Sequence, residues 1–327
     1  MWKQIIGAVA ATAALATGAA AQNTMRVSYI SPPGHHGHIL MLSFQSEVEK
    51  ASKGAVKVLL FPGETAFKAA ENAPAVARGA IEAALTLNSE WGKSIPEMNV
   101  TTIPYFFSDL DRVIKFPGSE AARLLDRKIA AHGVTNIAWI YISRQAILTS
   151  NKQPIVKPDD LKGLRVRGYN AIMDAALAAV GAMPWVISGP EVYQALESGV
   201  VEVGMTDLST AFARRHYDLH KFGTVAPYFS LFFTLQVNPV WWGKLAADER
   251  GVIEKAARKV ELEAVGVTEG TSSAAVERLR EKGMTIRVQT AEEKKTWSAA
   301  MQKPVIEAFI KAAPEDGARL IDMLSRM

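Results

Sequence analysis

The sequence predicts α/β lobes with both sheet faces covered by helices. Short apolar runs alternate with helical stretches along most of the chain, the pattern of strand–helix units. At 327 residues the chain is long enough for two domains, each with its own core. Apolar content of 49% and charged content of 21% describe an ordinary soluble globular protein. There is no cysteine, which excludes a disulfide scaffold and thiol chemistry. The formal charge of +4 is spread along the chain without a Lys/Arg block, so no nucleic-acid partner is expected.

Residues 1–21 read as a secretory leader. Lys3 supplies a short positive start, Ile5 to Leu15 an apolar run, and Ala19 to Ala21 small residues before Gln22, a cleavage pattern. The alternative is a membrane anchor, but this stretch is rich in Ala, Thr and Gly and weakly apolar for a span of ~20 residues. Lipid attachment through a lipobox cysteine is excluded. The mature chain is expected free in the periplasm.

Met25 to Ile30 alternates as a first strand, broken by Ser31 to Gly34, and His38 to Ala51 follows as a helix. The loop between them carries His35, His36 and His38. No acidic or thiol partner sits nearby, so these read as polar or capping residues and no metal or cofactor is expected. Ala55 to Pro62 is a second strand. Phe67 to Arg78 is a helix with Gly79 just past its end, where a left-handed residue is wanted. Ala80 to Leu87 is the third strand. Asn88, Ser89 and Trp91 follow its carboxyl end and are candidates for a cleft wall, as is Glu71 on the preceding helix; packing or surface roles are the alternative for each. Gly118 to His132 reads as a helix and Val134 to Tyr141 as a strand leading to the second lobe.

The stretch from Ile155 to Gly204 organises the reading. Pro158, Asp159 and Asp160 form a helix-start signal, since Asp accepts from unpaired amides and Pro suits the first turn. Leu164 to Arg167 is a short strand that sends Arg165 and Arg167 to one face. Gly168 ends it, which leaves Arg167 at the carboxyl end, where open α/β sheets face their ligand crevice. A guanidinium there matches a carboxylate bidentately and stays charged when desolvated.

This block resembles the solute-binding proteins of tripartite ATP-independent periplasmic (TRAP) transporters. Their pattern P-x-D-L-x-G-x-x-[IV]-R stands here as Pro158 to Arg167. G-A-x-P stands as Gly181 to Pro184, and E-V-Y-x-A-L-x-x-G-V-V-[DE] as Glu191 to Glu202, with matching spacings. The likeness continues in Ile103 to Phe107, similar to [LI]-P-[FY]-L-F, and in Asn238 to Leu245, similar to N-x-x-W-[WF]-x-x-L. It covers nearly the whole mature chain.

The resemblance implies a type II-like periplasmic binding protein: two α/β lobes, discontinuous in sequence, hinged around a cleft and spanned by a long helix. Residues 22–145 and 236–275 would form one lobe, 146–235 and 276–327 the other. The implied function is capture of a small organic acid, delivered by a monomer to the membrane subunits of a TRAP permease. Arg167 is the implied ligand contact; Arg165 reads as structural. Tyr169 and Asn170 follow directly, and Asn170 lies where relatives often place a polar contact. Relatives also use an arginine in the region of Arg144, usually three residues before a Thr; here Thr149 is five beyond, a shift of two that keeps a strand residue on its face.

Two departures alter the implied pocket. Gly189 stands where the family often has Phe, and Thr206-Asp207 where it often has Asn-Pro. A roomier pocket follows, which Trp185 and the run Tyr228 to Phe233 could fill; an aromatic or bulky acid is then a candidate cargo. Thr234 to Asn238 is a strand expected to return to the first lobe. Ala247 begins a long helical stretch reaching Leu279, with a bend or break expected at Gly266 and Gly270. Gly283 to Val288 reads as an edge strand and Ala291 to Met327 as closing helices.

Three other classes are weighed. An extracytoplasmic enzyme would need a catalytic motif, and no nucleophile elbow, P-loop or zinc helix is present; none is expected. A binding protein of another transporter would hold carboxylates on helix amino termini instead of arginine. A sensory partner would use the same pocket.

Overall fold

The computed structural model describes residues 22–327; the leader assigned to residues 1–21 lies outside them. Strands β1 (Asn23–Ser28), β2 (Val56–Phe61), β3 (Ala83–Leu87) and β4 (Thr135–Ser143) open the first sheet. Between them run helices α1 (His36–Ala51), α2 (Ala69–Ala77), α3 (Asn88–Trp91), α4 (Leu110–Lys115) and α5 (Glu120–Ala130). The chain then crosses to a second sheet through β5 (Ala146–Ser150) and β6 (Arg165–Gly168). It continues through α6 (Ala171–Ala179), β7 (Met183–Val186), α7 (Val192–Glu197), β8 (Val203–Asp207), α8 (Leu208–Ala213) and β9 (Phe222–Ala226). Strand β10 (Leu231–Val237) returns to the first sheet, followed by α9 (Pro239–Lys244) and α10 (Ala247–Glu281). Strand β11 (Thr285–Val288) edges the second sheet, and α11 (Ala291–Ala312) and α12 (Gly317–Ser325) close the chain.

The first sheet has the order β2-β1-β3-β10-β4 and the second β11-β9-β5-β8-β6-β7. Parallel pairs join β1 to β2 and β3, and β6 to β7 and β8. Strand β10 is antiparallel to both its neighbours, and β5 likewise. Gly79 takes φ +73° just after α2, the left-handed stop expected from its position.

Three expectations are corrected. The strand expected from Thr234 begins at Leu231, so residues 231–235 belong to the first sheet and not to the second lobe. Its fully buried pattern has no alternation to read, because a central strand is covered on both faces. The closing helices are also divided: α11 packs chiefly on α6 of the second lobe, whereas α12 packs on α5 and on the turn Pro96–Thr102 of the first. Finally, α10 is one helix of 35 residues, unbroken at Gly266 and Gly270.

Contacts along its length explain that continuity. Ser43 of α1 donates to Glu263 at 2.8 Å, and Lys259 pairs with Glu47 at 2.6 Å. Further on, Thr268 donates to the Tyr141 carbonyl at 3.2 Å, and Ala275 and Leu279 enter the core of the second lobe. Tertiary packing on both sides outweighs the ~1 kcal/mol that each glycine costs a helix.

The main core gathers at the first sheet. Phe232 of β10 lies 4.9 Å from Phe116, 5.8 Å from Tyr141 and 6.1 Å from Phe107, ring centre to ring centre, in tilted or edge-on arrangements. Gly270 is exposed, and a methyl group there would meet open space. Gly270→Ala is therefore expected to stabilise the fold by about 0.5–1 kcal/mol, seen as a higher urea midpoint at unchanged slope. A lower midpoint would show that the helix yields at this residue.

Candidate functional site

The carboxyl ends of the parallel strands from both sheets converge on one cleft of about 610 Å³. From the first sheet come Ile30 and Ser31 beyond β1, Ser89 and Glu90 beyond β3, and Ile142 on β4. From the second come Arg167 on β6, Tyr169 and Asn170 beyond it, Ile187 to Glu191 beyond β7, and Thr206 and Asp207 on β8.

Arg167 is 4% exposed. Its Nε donates to the Ile187 carbonyl at 3.1 Å and its Nη1 to the Met205 carbonyl at 2.9 Å. The Tyr169 ring lies against the guanidinium, 3.5 Å from centroid to Cζ. Two of five donor hydrogens are thus used on main chain. Among the described residues no carboxylate pairs with it. Gly168 is required beside it: a Cβ there would press into the Asp174 carboxylate, 2.8 Å from its Cγ. Asp174 accepts from the Tyr169 amide, and burial pushes its carboxyl up to about 6.

Asn170, Thr206 and Asp207 also line the cleft. Asn170 caps α6 by accepting from the Met173 amide at 2.9 Å, while its Nδ2 donates across the cleft to Thr102 at 3.3 Å. Asp207 caps α8 through the Thr210 amide at 2.9 Å. Burial alone would push this carboxyl up; the adjacent His35 and the Thr210 donors hold it below its ordinary value.

The structure does not bring the other candidates to the cleft. Arg144 is committed to Glu269, with Nη2–Oε2 at 2.6 Å and Nε–Oε1 at 3.1 Å, and Tyr141 donates to the same carboxylate at 2.7 Å. Glu71 is exposed and accepts from the Lys68 amide at the start of α2. Trp91 is packed inside, donating to Thr234 at 3.2 Å. Trp185 is 51% exposed and does not line the cleft, while Tyr228, Phe229 and Phe232 lie in the core. Of the rings expected to fill the pocket only Phe233 lines it, so an aromatic cargo loses its basis.

His35, read from the sequence as a capping residue, also lines the cleft, as do Glu90 and Arg214, which the sequence reading passed over. His35 caps α1 through its own side chain; burial, with His36 beside it, depresses its pKa to about 3. Glu90 sits between two residues that were singled out, and burial raises its pKa. Arg214 lies seven residues beyond Asp207, two turns along α8, and only that spacing could have flagged it. The three loop histidines turn to separate partners: His36 to the Ile142 carbonyl and His38 to the Tyr29 hydroxyl. A second hollow of about 630 Å³ lies at the opposite end of β5, β6 and β8, where Arg165 and Lys152 pair with Glu202.

Two α/β sheets facing one another over a cleft lined by an unpaired guanidinium define a two-lobed solute-binding protein. The chain belongs to the bacterial extracellular solute-binding proteins, family 7 (DctP), whose family model matches residues 27–312. It is 29% identical over 301 residues to the C4-dicarboxylate-binding periplasmic protein DctP of Rhodobacter capsulatus, covering 91% of this chain and 90% of that one. It is 23% identical over 314 residues to the 2,3-diketo-L-gulonate-binding periplasmic protein YiaO of Escherichia coli, covering 96% and 94%. Its fold matches a TRAP periplasmic solute-binding protein from Sulfurospirillum deleyianum with bound succinate, at TM-score 0.85 and 24% identity, covering 93% and 99%. It also matches one from Roseobacter denitrificans with bound β-D-glucuronate, at TM-score 0.85 and 22% identity, covering 92% and 99%. No helix among the described residues is long and apolar enough to cross a membrane.

Arg144→Ala should act on stability and spare the cleft. Breaking a half-buried, bidentate pair is expected to cost about 1–3 kcal/mol, while ligand affinity stays within a few fold; a collapse of affinity at unchanged stability would return Arg144 to the site. Buried His216 and His220 share the Thr149 hydroxyl, at 3.2 and 2.9 Å. Burial holds their pKa values at about 3 and about 4, below the ordinary value of about 6.5. The folded state then binds fewer protons than the unfolded one below about pH 6.5, so their contribution is full above that pH and is lost as pH falls. The slope is at most ~1.4 kcal/mol per pH unit and ring; His35, His36 and His38, likewise depressed by burial, add to it, while Asp174, Glu90 and Asp126, raised by burial, oppose it. Melting temperature should fall from about pH 6.5 to 4.5, with both rings still neutral by nitrogen NMR near pH 5. Protonated rings in the folded protein at that pH would refute the assignment.

Proposed function

We propose that this chain is an extracytoplasmic receptor that captures a small organic acid between its lobes and hands it to a TRAP-type permease. Arg167 supports this reading most directly: it is almost wholly withdrawn from water, yet among the described residues it forms no ion pair. A buried cation in that state is held ready for an anion, and a carboxylate fits its fork in two parallel bonds. Tyr169, Asn170 and Thr206 would orient the rest of the ligand. Family membership supports the permease partner and the receptor role.

The lobes would hinge where the chain passes between the sheets, at residues 144–145 and 227–230 and along α10. Ligand in the cleft would favour closure by bridging both walls. His35 already meets Thr210 across it at 3.5 Å, and Asn170 meets Thr102. The run from Ile5 to Leu15 and the small residues before Gln22 support export to the periplasm and release there.

Refolded, ligand-free protein tested by thermal shift against monocarboxylic, dicarboxylic and sugar acids, with their neutral amides beside them, examines this directly. A ligand at 100 times its dissociation constant should stabilise by roughly 2.7 kcal/mol. Only the acids should act, and Arg167→Ala should abolish the shift. Equal response to the neutral amides would remove Arg167 from its role.

A further inference from the structure

The hollow at the opposite end of β5, β6 and β8 measures about 630 Å³, the size of a small-molecule pocket. It shares no lining residue with the cleft. Two separate apolar clusters line it. Ile155, Leu164 and Val203 belong with the main core, while Leu196, Val201 and Leu219 belong to a satellite. Close-packed interiors leave few voids larger than a water molecule, so a gap between two such clusters is space kept open. His220 also lines it and is only 6% exposed.

The His220 ring is anchored through one nitrogen. Its Nδ1 lies 2.9 Å from the Thr149 hydroxyl, which lies 3.2 Å from Nδ1 of buried His216. Gly204 makes room for this arrangement, since a Cβ there would sit 2.6 Å from Thr149 Oγ1. Burial keeps both rings neutral near pH 7. The hydroxyl has one hydrogen, so it donates to one ring and accepts from the other. The ring that donates from Nδ1 has a bare Nε2 acceptor; the other carries its proton on Nε2. His216 Nε2 is buried without a partner. Among the described residues none bonds His220 Nε2 either, but His220 opens on the hollow. The rim does not favour an anion. Glu197, Glu202 and Asp218 stand against Lys152 and Arg165, and both bases are engaged with Glu202, at 3.1 and 3.5 Å.

We propose that this hollow is a second ligand site, which takes a small neutral molecule with an apolar body and one hydroxyl, an alcohol or a phenol, bonded to His220 Nε2. A hydroxyl both donates and accepts, so it satisfies the ring in either tautomer. The apolar body fills the gap between the two clusters and removes their facing surfaces from water.

Titration of the ligand-free full chain with para-cresol against toluene, and cyclohexanol against cyclohexane, tests this, with nitrogen NMR of the His220 ring beside it. The hydroxyl compound of at least one pair should bind saturably, roughly tenfold tighter than its hydrocarbon, and should move the His220 Nε2 resonance. Leu219→Trp, which fills the hollow from a half-buried position, should abolish binding of both members. His220→Phe should erase the hydroxyl preference and leave the hydrocarbon affinity in place. Circular dichroism checks that each variant is folded; should His220→Phe fail to fold, Leu219→Trp and the nitrogen resonance decide. Binding that survives Leu219→Trp places the probe elsewhere and overturns the proposal. Equal affinity within both pairs, an unmoved His220 resonance, or no saturable binding of either hydroxyl compound overturns it as well.

Discussion

A guanidinium taken out of water has to be surrounded by acceptors, and the walls of the cleft are arranged around that demand. The two carbonyls that hold Arg167 belong to Ile187 and Met205, so a residue of β6 ties together the ends of β7 and β8. Tyr169 covers its face, and Gly168 gives Asp174 the room to receive the Tyr169 amide. Shifting β6 by one residue would bury the wrong side chain and release all of these contacts at once. The rigidity of this corner is what lets its remaining donors stay unspent.

Much of the fold was legible because local chemistry and tertiary structure agree there. Pro158 with two aspartates begins a helical turn, Gly79 stops α2, and the first three strands lie within two or three residues of their expected places. The short strands β5, β7, β8 and β9 were not legible, being four or five residues each, with β5, β8 and β9 mostly covered on both faces. Strand β10 was half read for the same reason, and its aromatic residues passed for a pocket wall. Burial on two faces erases the alternation that identifies a strand.

Within the site, residues carried by one contiguous motif were legible, and residues placed by distant neighbours were not. Arg167, Tyr169, Asn170, Thr206 and Asp207 all reach the cleft. Arg144 does not, because it sits between β4 and β5. A two-residue shift preserves a face only inside a strand, and at a crossing the rule has nothing to act on. There the side chain found Glu269 on α10 and clasps the passage between the sheets to the long helix. Arg214 was hidden for the opposite reason: its place depends on a missing side chain at Gly189, on a different element of the lobe.

The position of β10 also governs when the first lobe can exist. Among the described residues it is the only sheet neighbour of β4 and lies between β4 and β3, so the amino-terminal strands cannot assemble a complete sheet from their own residues. Until Val237 is available the sheet stops at β3, and β4 has nothing to pair with. Contacts that close loops of this length form late. The amino-terminal residues alone therefore supply β1, β2 and β3 but not a finished sheet. The order of strands thus ties completion of the first sheet to the arrival of β10, which the chain reaches only after passing through the second sheet.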